Sequence, residues 1–357
     1  MFDLYTAVIL VTILLLITTT ADIVTNRLIT KGTKIKSVIT CLLIGMAALG
    51  ECVGVLTNGA PVSFILLHKM AKVIEFSTAP AIGVAAAMAY GDVKKPRLVI
   101  SLCVVHALFE CVAMCFGWVF RVDSQNIYHR EELYLIYVVA FVLSIILCFI
   151  SIIRNGKAYQ IGMDIVLIWT LILLAVGIGI QFIFSNVRID FLCIAVGNML
   201  FYSRYYKIML QVDAVTGLLN RRCYEVNLTD MESCAVILLF DVDQFKQVND
   251  VYGHLVGDIC LQNVAKQLRD VYGKYGVCYR VGGDEFCVIL NEKIEKTEEL
   301  TARFISAIKR LQESDNRMPT VSMGYAYYDA SVSHIQNVIE EADAMLYRNK
   351  KVEIEVV

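Results

Sequence analysis

The sequence predicts a multi-pass α-helical membrane domain over residues 1–207, followed by an α+β cytoplasmic domain over residues 208–357. Three observations carry this expectation. The 357 residues are 57% hydrophobic and only 18% charged, whereas soluble domains sit near half apolar and a quarter charged. Charge is also unevenly spread: residues 1–207 hold 27 charged side chains with a net of +5, and residues 208–357 hold 39 with a net of −7. Near Asp213 the hydrophobic pattern changes from long apolar runs to short strand-like and helix-periodic ones. With four prolines and no low-complexity tract, disorder is excluded. The acidity of the second part argues against nucleic acid as a partner.

Seven stretches approach the roughly 20 apolar residues that a membrane-spanning helix needs: about 4–22, 37–57, 68–90, 98–119, 133–153, 162–184 and 189–207. The first opens Met1-Phe2-Asp3, with no basic segment and no small-residue cleavage motif, so it is read as a mature helix and not a signal peptide. Basic loops alternate with neutral ones. Arg27, Lys31, Lys34 and Lys36 follow the first helix, the second loop is uncharged, and Asp92, Lys94, Lys95 and Arg97 follow the third. Arg154 and Lys157 follow the fifth, and Arg204 and Lys207 flank the last. The positive-inside rule then puts the N-terminus outside and the C-terminal part in the cytoplasm.

Polar side chains interrupt these runs at His68, Lys69, Lys72, Glu75, His106, Glu110 and Asp164. Lys69 and Lys72 are expected at a helix mouth with their ammonium groups reaching water, and Glu75 pairs with Lys72 three residues away. For Glu110 and Asp164, nearer mid-helix, a polar network, a ligand pocket and simple helix pairing all stay open. Twelve cysteines occur without a CxxC pair or a histidine at ligand spacing, so neither a zinc site nor a disulfide framework is expected.

In the second part, Ala235–Phe240 is a continuous apolar run suited to a buried strand, ending in Asp241-Val-Asp243. Gln244–Asp250 reads as a helical turn closing at Gly253, and about Gly257–Tyr272 as a helix with Leu261, Val264 and Leu268 on one face. Val277–Val281 and Phe286–Leu290 flank Gly282-Gly283-Asp284-Glu285 and predict two antiparallel strands joined by a tight hairpin. A helix through Leu300, Phe304, Ile308 and Leu311 follows, then an alternating strand (Val321, Met323, Tyr325, Tyr327) and a last helix, Ile335–Lys350. Carboxylates therefore gather at strand ends: Asp241 on one, Asp284 and Glu285 at the hairpin turn. Such a cluster is unfavourable without cations, and hard oxygen donors suit Mg²⁺ holding nucleotide phosphates. The paired glycines leave the backbone open to a phosphate chain.

Four motifs then add a resemblance. Asp213-Ala-Val-Thr-Gly-Leu-Leu-Asn-Arg-Arg222, Asp241-Val-Asp-Gln-Phe-Lys through Gly257-Asp258, Arg280-Val-Gly-Gly-Asp-Glu-Phe286 and Ala342-Asp-Ala-Met-Leu-Tyr-Arg-Asn-Lys350 resemble the GGDEF family of diguanylate cyclases, in order and across residues 208–350. The resemblance implies a palm-like fold and condensation of two GTP into cyclic di-GMP in a homodimer. It also implies two Mg²⁺ ions held by Asp241, the carbonyl of Val242, Asp284 and Glu285, with Asp284 accepting the proton of the attacking 3′-hydroxyl. Asn249 and Asp258 match the guanine-reading pair, His254 stands in the same pocket, and Lys246 and Lys350 match positions that meet the triphosphate. Asp213, Asn220 and Arg221 match an entrance motif with a structural or coupling role. Two departures stand out: Gly273 and Gly276 replace the Arg and Asp of the family's product-inhibition motif, and Ile354 replaces a second triphosphate-binding Arg. Less specifically, Lys72–Pro80 with Tyr90-Gly91 resembles the third helix of seven-helix sensor regions that precede some bacterial histidine kinases. That favours a sensor in a bacterial plasma membrane, with an unidentified ligand, over a transporter. The other readings are a catalytically silent GTP- or cyclic-dinucleotide-binding membrane receptor, and a cyclase of mixed adenine–guanine product, which the Asp258 carboxylate opposes.

Overall fold

The computed structural model describes residues 2–161, 164–184, 187–231, 233–291 and 294–355. It divides into two compact units, residues 1–209 and 210–357, each built on its own core.

The first unit is a bundle of α1 (Phe2–Thr25), α2 (Lys31–Thr57), α3 (Ile65–Tyr90), α4 (Pro96–Phe116), α5 (Tyr134–Ala158), α6 (Ile165–Ile183) and α7 (Asp190–Gln211). These helices occupy the seven predicted stretches. Among the described residues five stretches, one on each of α1 to α5 with the third starting at Val62 just before α3, are long and apolar enough to cross a membrane. α6 is apolar over the shorter Ile165–Ile180, and α7 carries Asp190, Arg204 and Lys207. Residues 162–163 of the sixth predicted stretch lie outside the described residues. The charged loop after α4 is not plain coil: β1 (Phe120–Val122) and β2 (Tyr128–Arg130) pair antiparallel.

α3 is the most enclosed of the five, with 67% of its span buried against 11% for α4. Its second half is rich in alanine and glycine, which lets neighbouring backbones come close. A Cβ on Gly83 would lie 2.5 Å from Ser144 Oγ and 2.7 Å from the Ser144 carbonyl carbon of α5. Pro80 inside α3 has no N–H to give the Phe76 carbonyl one turn back. His106 Nε2 of α4 reaches that carbonyl at 3.2 Å. Glu110, one turn further along α4, is fully buried, with Oε1 3.6 Å from the same nitrogen.

Two sequence expectations change here. Lys72 does not reach water: it is 5% exposed, pairs with Glu75 at 2.7 Å as expected, and sets its ammonium 5.1 Å from the Tyr128 ring centroid. Asp164 is not mid-helix but the N-cap of α6. Its Oδ1 accepts from Leu167 N (3.1 Å) and its Oδ2 from Arg204 Nε of α7 (2.7 Å). Glu51, which drew no notice in the sequence, is buried and accepts from Arg188 Nη1 at 2.9 Å and from Tyr5 at 3.2 Å.

The second unit is an α+β layer built on a five-stranded sheet of order β3-β5-β6-β4-β7. Its elements are β3 (Leu219–Asn220), α8 (Arg221–Thr229), β4 (Ala235–Val242), α9 (Phe245–Tyr252), α10 (His254–Tyr272), β5 (Gly276–Arg280), β6 (Glu285–Leu290), α11 (Ile294–Ser314), β7 (Val321–Tyr328) and α12 (Ile335–Glu355). β3 and β5 run parallel and the other pairs antiparallel. Val236, Leu238 and Phe240 of β4 share one core with Val264 and Leu268 of α10 and with Leu300 and Phe304 of α11. The expected hairpin is present. The expected turn at Gln244–Asp250 is the full helix α9, and the helix expected from Gly257 begins at His254.

Gly83→Leu should drive α3 off α5 and destabilise the bundle by about 1–3 kcal/mol, the usual cost of overpacking. Thermal unfolding of the detergent-solubilised protein measures this, and an unchanged Tm would show that the contact yields without cost.

Candidate active site

The site is set by strand register. β4 and β6 pair antiparallel so that Asp241 stands directly opposite Glu285. Val242 N, at the end of β4, donates to the Asp284 carbonyl at 3.1 Å, which ties the hairpin turn to that strand end. Asp241, Asp284 and Glu285 therefore lie near one another in the chain trace, at the edge formed by the ends of β4 and β6. The Glu285 carboxylate folds back over Gly282, where a Cβ would lie 2.3 Å from Glu285 Oε2.

Two side chains fix what this edge presents. Lys350 of α12 donates from Nζ to Asp241 Oδ1 at 2.6 Å. Partial burial opposes the ammonium charge, yet the bond to Asp241 and the charges of Asp241, Asp243 and Asp284 outweigh it and hold the Lys350 pKa above its ordinary value. Asp243 is 9% exposed and turned to a structural use that the sequence did not reveal: Ser322 donates to its Oδ1 at 2.8 Å and Thr320 to its Oδ2 at 2.9 Å.

Arg280 and Asp213 brace the hairpin turn. Arg280 donates from Nη2 to the Gly283 carbonyl at 2.6 Å and from Nη1 to Asp213 Oδ1 at 2.9 Å. Asp213 Oδ1 also accepts from the backbone and hydroxyl of Thr216, at 2.9 and 2.7 Å. Partial burial pushes the Asp213 carboxyl up, but the bonds from Thr216 and Arg280 prevail and hold it below the usual carboxylate range. Asn220 caps α8, accepting from Cys223 N at 3.1 Å and donating to the Leu210 carbonyl at 2.8 Å. Arg221 is exposed and pairs with Glu225.

The remaining predicted residues stand on α9 and the start of α10. A Cβ on Gly257 would lie 2.1 Å from Asn249 Oδ1, so glycine there lets the Asn249 amide press against the first turn of α10. That turn carries His254 and Asp258, and His254 is exposed. Lys246 is exposed on α9. The Ile354 side chain lies outside the described residues.

Among the described residues no three metal-ligating side chains are gathered closely enough to hold an ion. The carboxylates of Asp241, Asp284 and Glu285 are nevertheless hard oxygen donors of the kind that Mg²⁺ takes. The Lys350 ammonium against Asp241 shows that this edge already holds a positive charge.

Residues 210–354 match the family described as "Diguanylate cyclase, GGDEF domain". The second unit is a GGDEF domain. "Probable diguanylate cyclase DgcC" of Escherichia coli is 32% identical over 166 residues, covering 42% of this chain and 43% of that protein. "Diguanylate cyclase DgcP" of Escherichia coli is 33% identical over 150 residues, covering 39% of this chain and 44% of that protein. The chain thus spans less than half the length of these relatives. Among solved structures, the GGDEF domain of DgcB from Caulobacter crescentus in complex with c-di-GMP matches at 28% identity, covering 40% of this chain and 90% of that one, with a TM-score of 0.36.

Because the GGDEF Asp213 carboxyl is held down in the folded state, its charge stabilises the domain above the unfolded-state pKa of about 3.9. That contribution is lost as pH falls through the lower folded value. Asp213→Asn should therefore unfold more easily than the unmodified protein at pH 7, and the gap should close in acid. Denaturant melts across pH check this, and a gap independent of pH would refute it.

Proposed function

We propose that the chain is a membrane-bound diguanylate cyclase that condenses two GTP into cyclic di-GMP and releases two pyrophosphates. On this reading residues 1–207 lie in a bacterial plasma membrane with the N-terminus outside, and they control residues 208–357 in the cytoplasm. The observation that carries the reading is the register that sets Asp241 opposite Glu285, beside Asp284 and Lys350, inside a GGDEF domain.

Asp284 takes the proton from the 3′-hydroxyl of one GTP as that oxygen attacks the α-phosphorus of the other, and pyrophosphate leaves. A second such transfer closes the ring. One domain holds one GTP, so the two substrates meet only where two domains face each other in a homodimer. Asn249 and Asp258 read guanine: a carboxylate accepts from both N1–H and the exocyclic amine, whereas adenine presents an acceptor at N1. His254 borders the same pocket. Lys246 and Lys350 act on the triphosphate as point charges, Lys350 leaving Asp241 to do so. Asp241, the Val242 carbonyl, Asp284 and Glu285 would hold two Mg²⁺, which when bound offset phosphate charge. Gly273 and Gly276 carry no side chain to bind product, so this cyclase lacks feedback through that position.

One observation favours a silent GTP-binding receptor instead: Lys350 already neutralises Asp241. Full-length protein in nanodiscs, given GTP and Mg²⁺ and read by mass spectrometry, separates the two. Cyclic di-GMP should form, and Asp284→Ala with Glu285→Ala should lower its rate by about 10²-fold or more. Bound GTP without product in confirmed dimers would establish the receptor. Asp258→Asn should lower kcat/KM for GTP by roughly tenfold to a hundredfold, the worth of hydrogen bonds to a charged group, while sparing ATP.

A further inference from the structure

An open groove of about 590 Å³ runs between α1 and α2. Its lining follows one stripe of each helix, from Ile13 through Ile17 to Val24 on α1 and through Leu42 and Met46 on α2, and is apolar but for Thr20 and Cys41. Gly45 adds no side chain to fill it. From Ile13 to Val24 the groove is about 16 Å long at the helical rise, close to one leaflet, which is half of a hydrocarbon core roughly 30 Å thick. One end is cationic. Lys34 lies two turns before Leu42 on the same stripe of α2, and its Nζ donates to the carbonyl of Val24, at the end of the groove, at 2.7 Å. An ammonium has three protons to give, so this one bond leaves it able to meet an anion. Arg27, Lys31 and Lys36 are exposed nearby in sequence, and Asp22 is the one acidic side chain in residues 22–36.

We propose that this groove is a binding site for an anionic phospholipid, with one acyl chain between α1 and α2 and the phosphate headgroup at Lys34. A methylene takes about the room of a water, roughly 30 Å³, so a chain of about sixteen carbons needs roughly 480 Å³ and the groove holds it. The length, the apolar lining and the charge at one end together match a lipid. A second copy of the chain matches less well: a two-fold axis along the bilayer normal would bring the same cations to the same depth, where they repel. The inference rests on the membrane reading of residues 1–207 and is independent of cyclase activity.

The test places full-length protein in phosphatidylcholine nanodiscs with a trace of either phosphatidylglycerol or phosphatidylcholine, both carrying the same diazirine-bearing acyl chain, and maps labelled residues by mass spectrometry. The phosphatidylglycerol probe should label Ile17, Leu42 or Met46 about fivefold more than the phosphatidylcholine probe, the order expected for one basic residue acting on an anionic lipid. Both probes should label Leu102 of α4, which is 60% exposed, equally. Lys34→Gln should reduce the difference in the groove. Gly45→Leu should lower groove labelling by both lipids, and a Cβ there meets only Leu16 Cδ1, at 3.8 Å. Equal labelling of the groove by the two probes on the unmodified protein would overturn the proposal, whether or not the variants fold. So would a groove that neither lipid labels while Leu102 is labelled, which would give the groove to a second copy. Label absent from all of α1 to α5 would refute the membrane reading itself, and this site with it.

Discussion

The six cross-strand pairs from Val236↔Leu290 to Asp241↔Glu285 are the constraint on which the arrangement of the GGDEF domain's carboxylates depends. A slip of one residue would turn every side chain of β6 to the opposite face. Phe286 and Val288 would leave the core that holds Phe240, and Glu285 would leave Asp241. The burial of β4 and β6 thus fixes both the core and the site, and the site gains its precision from a hydrophobic register. The Asp213–Arg280–Gly283 chain adds what register alone does not: it ties the hairpin turn to the loop that begins at Asp213. Asp213 accordingly reaches the turn through Arg280.

The helical unit solves a different problem. Several of its buried polar groups are answered by residues far along the chain. The Phe76 carbonyl, left without its helical partner by Pro80, is answered by His106; Glu51 is answered by Arg188; Asp164 both starts α6 and holds Arg204. Each pairing ties a helix to a distant part of the chain at a defined height, which apolar contact alone does poorly because any apolar face fits any other. Lys72 and Glu75 neutralise each other on α3 and place a charge beside the Tyr128 ring.

Much of this was legible in the sequence wherever a single residue type has few structural options. β4 and β6 read as buried strands because six and five apolar residues in a row fit little else at that length, and their flanking carboxylates marked the site. Long-range pairings were not legible. Asp241 and Asp243 look alike in the chain, yet only Asp243 meets Ser322 and Thr320, about eighty residues away, and only Asp241 meets Lys350. Asp164 looked mid-helix because the apolar run hides where α6 begins; the cap is a backbone event, and sequence gives it no mark inside an apolar stretch. The short elements β1, β2, β3 and α8 carry too few residues for a period to show.

The central claim is that Asp241, Asp284 and Glu285 act as one cation-holding edge once nucleotide displaces Lys350. Electron paramagnetic resonance of Mn²⁺ in place of Mg²⁺, titrated into full-length protein with a non-hydrolysable GTP analogue, addresses it directly. The account predicts Mn²⁺ binding that depends on nucleotide, is lost in Asp241→Ala and is strengthened in Lys350→Met at saturating analogue. Equal Mn²⁺ binding by the Asp241→Ala variant, or none by the unmodified protein with analogue bound, would contradict it.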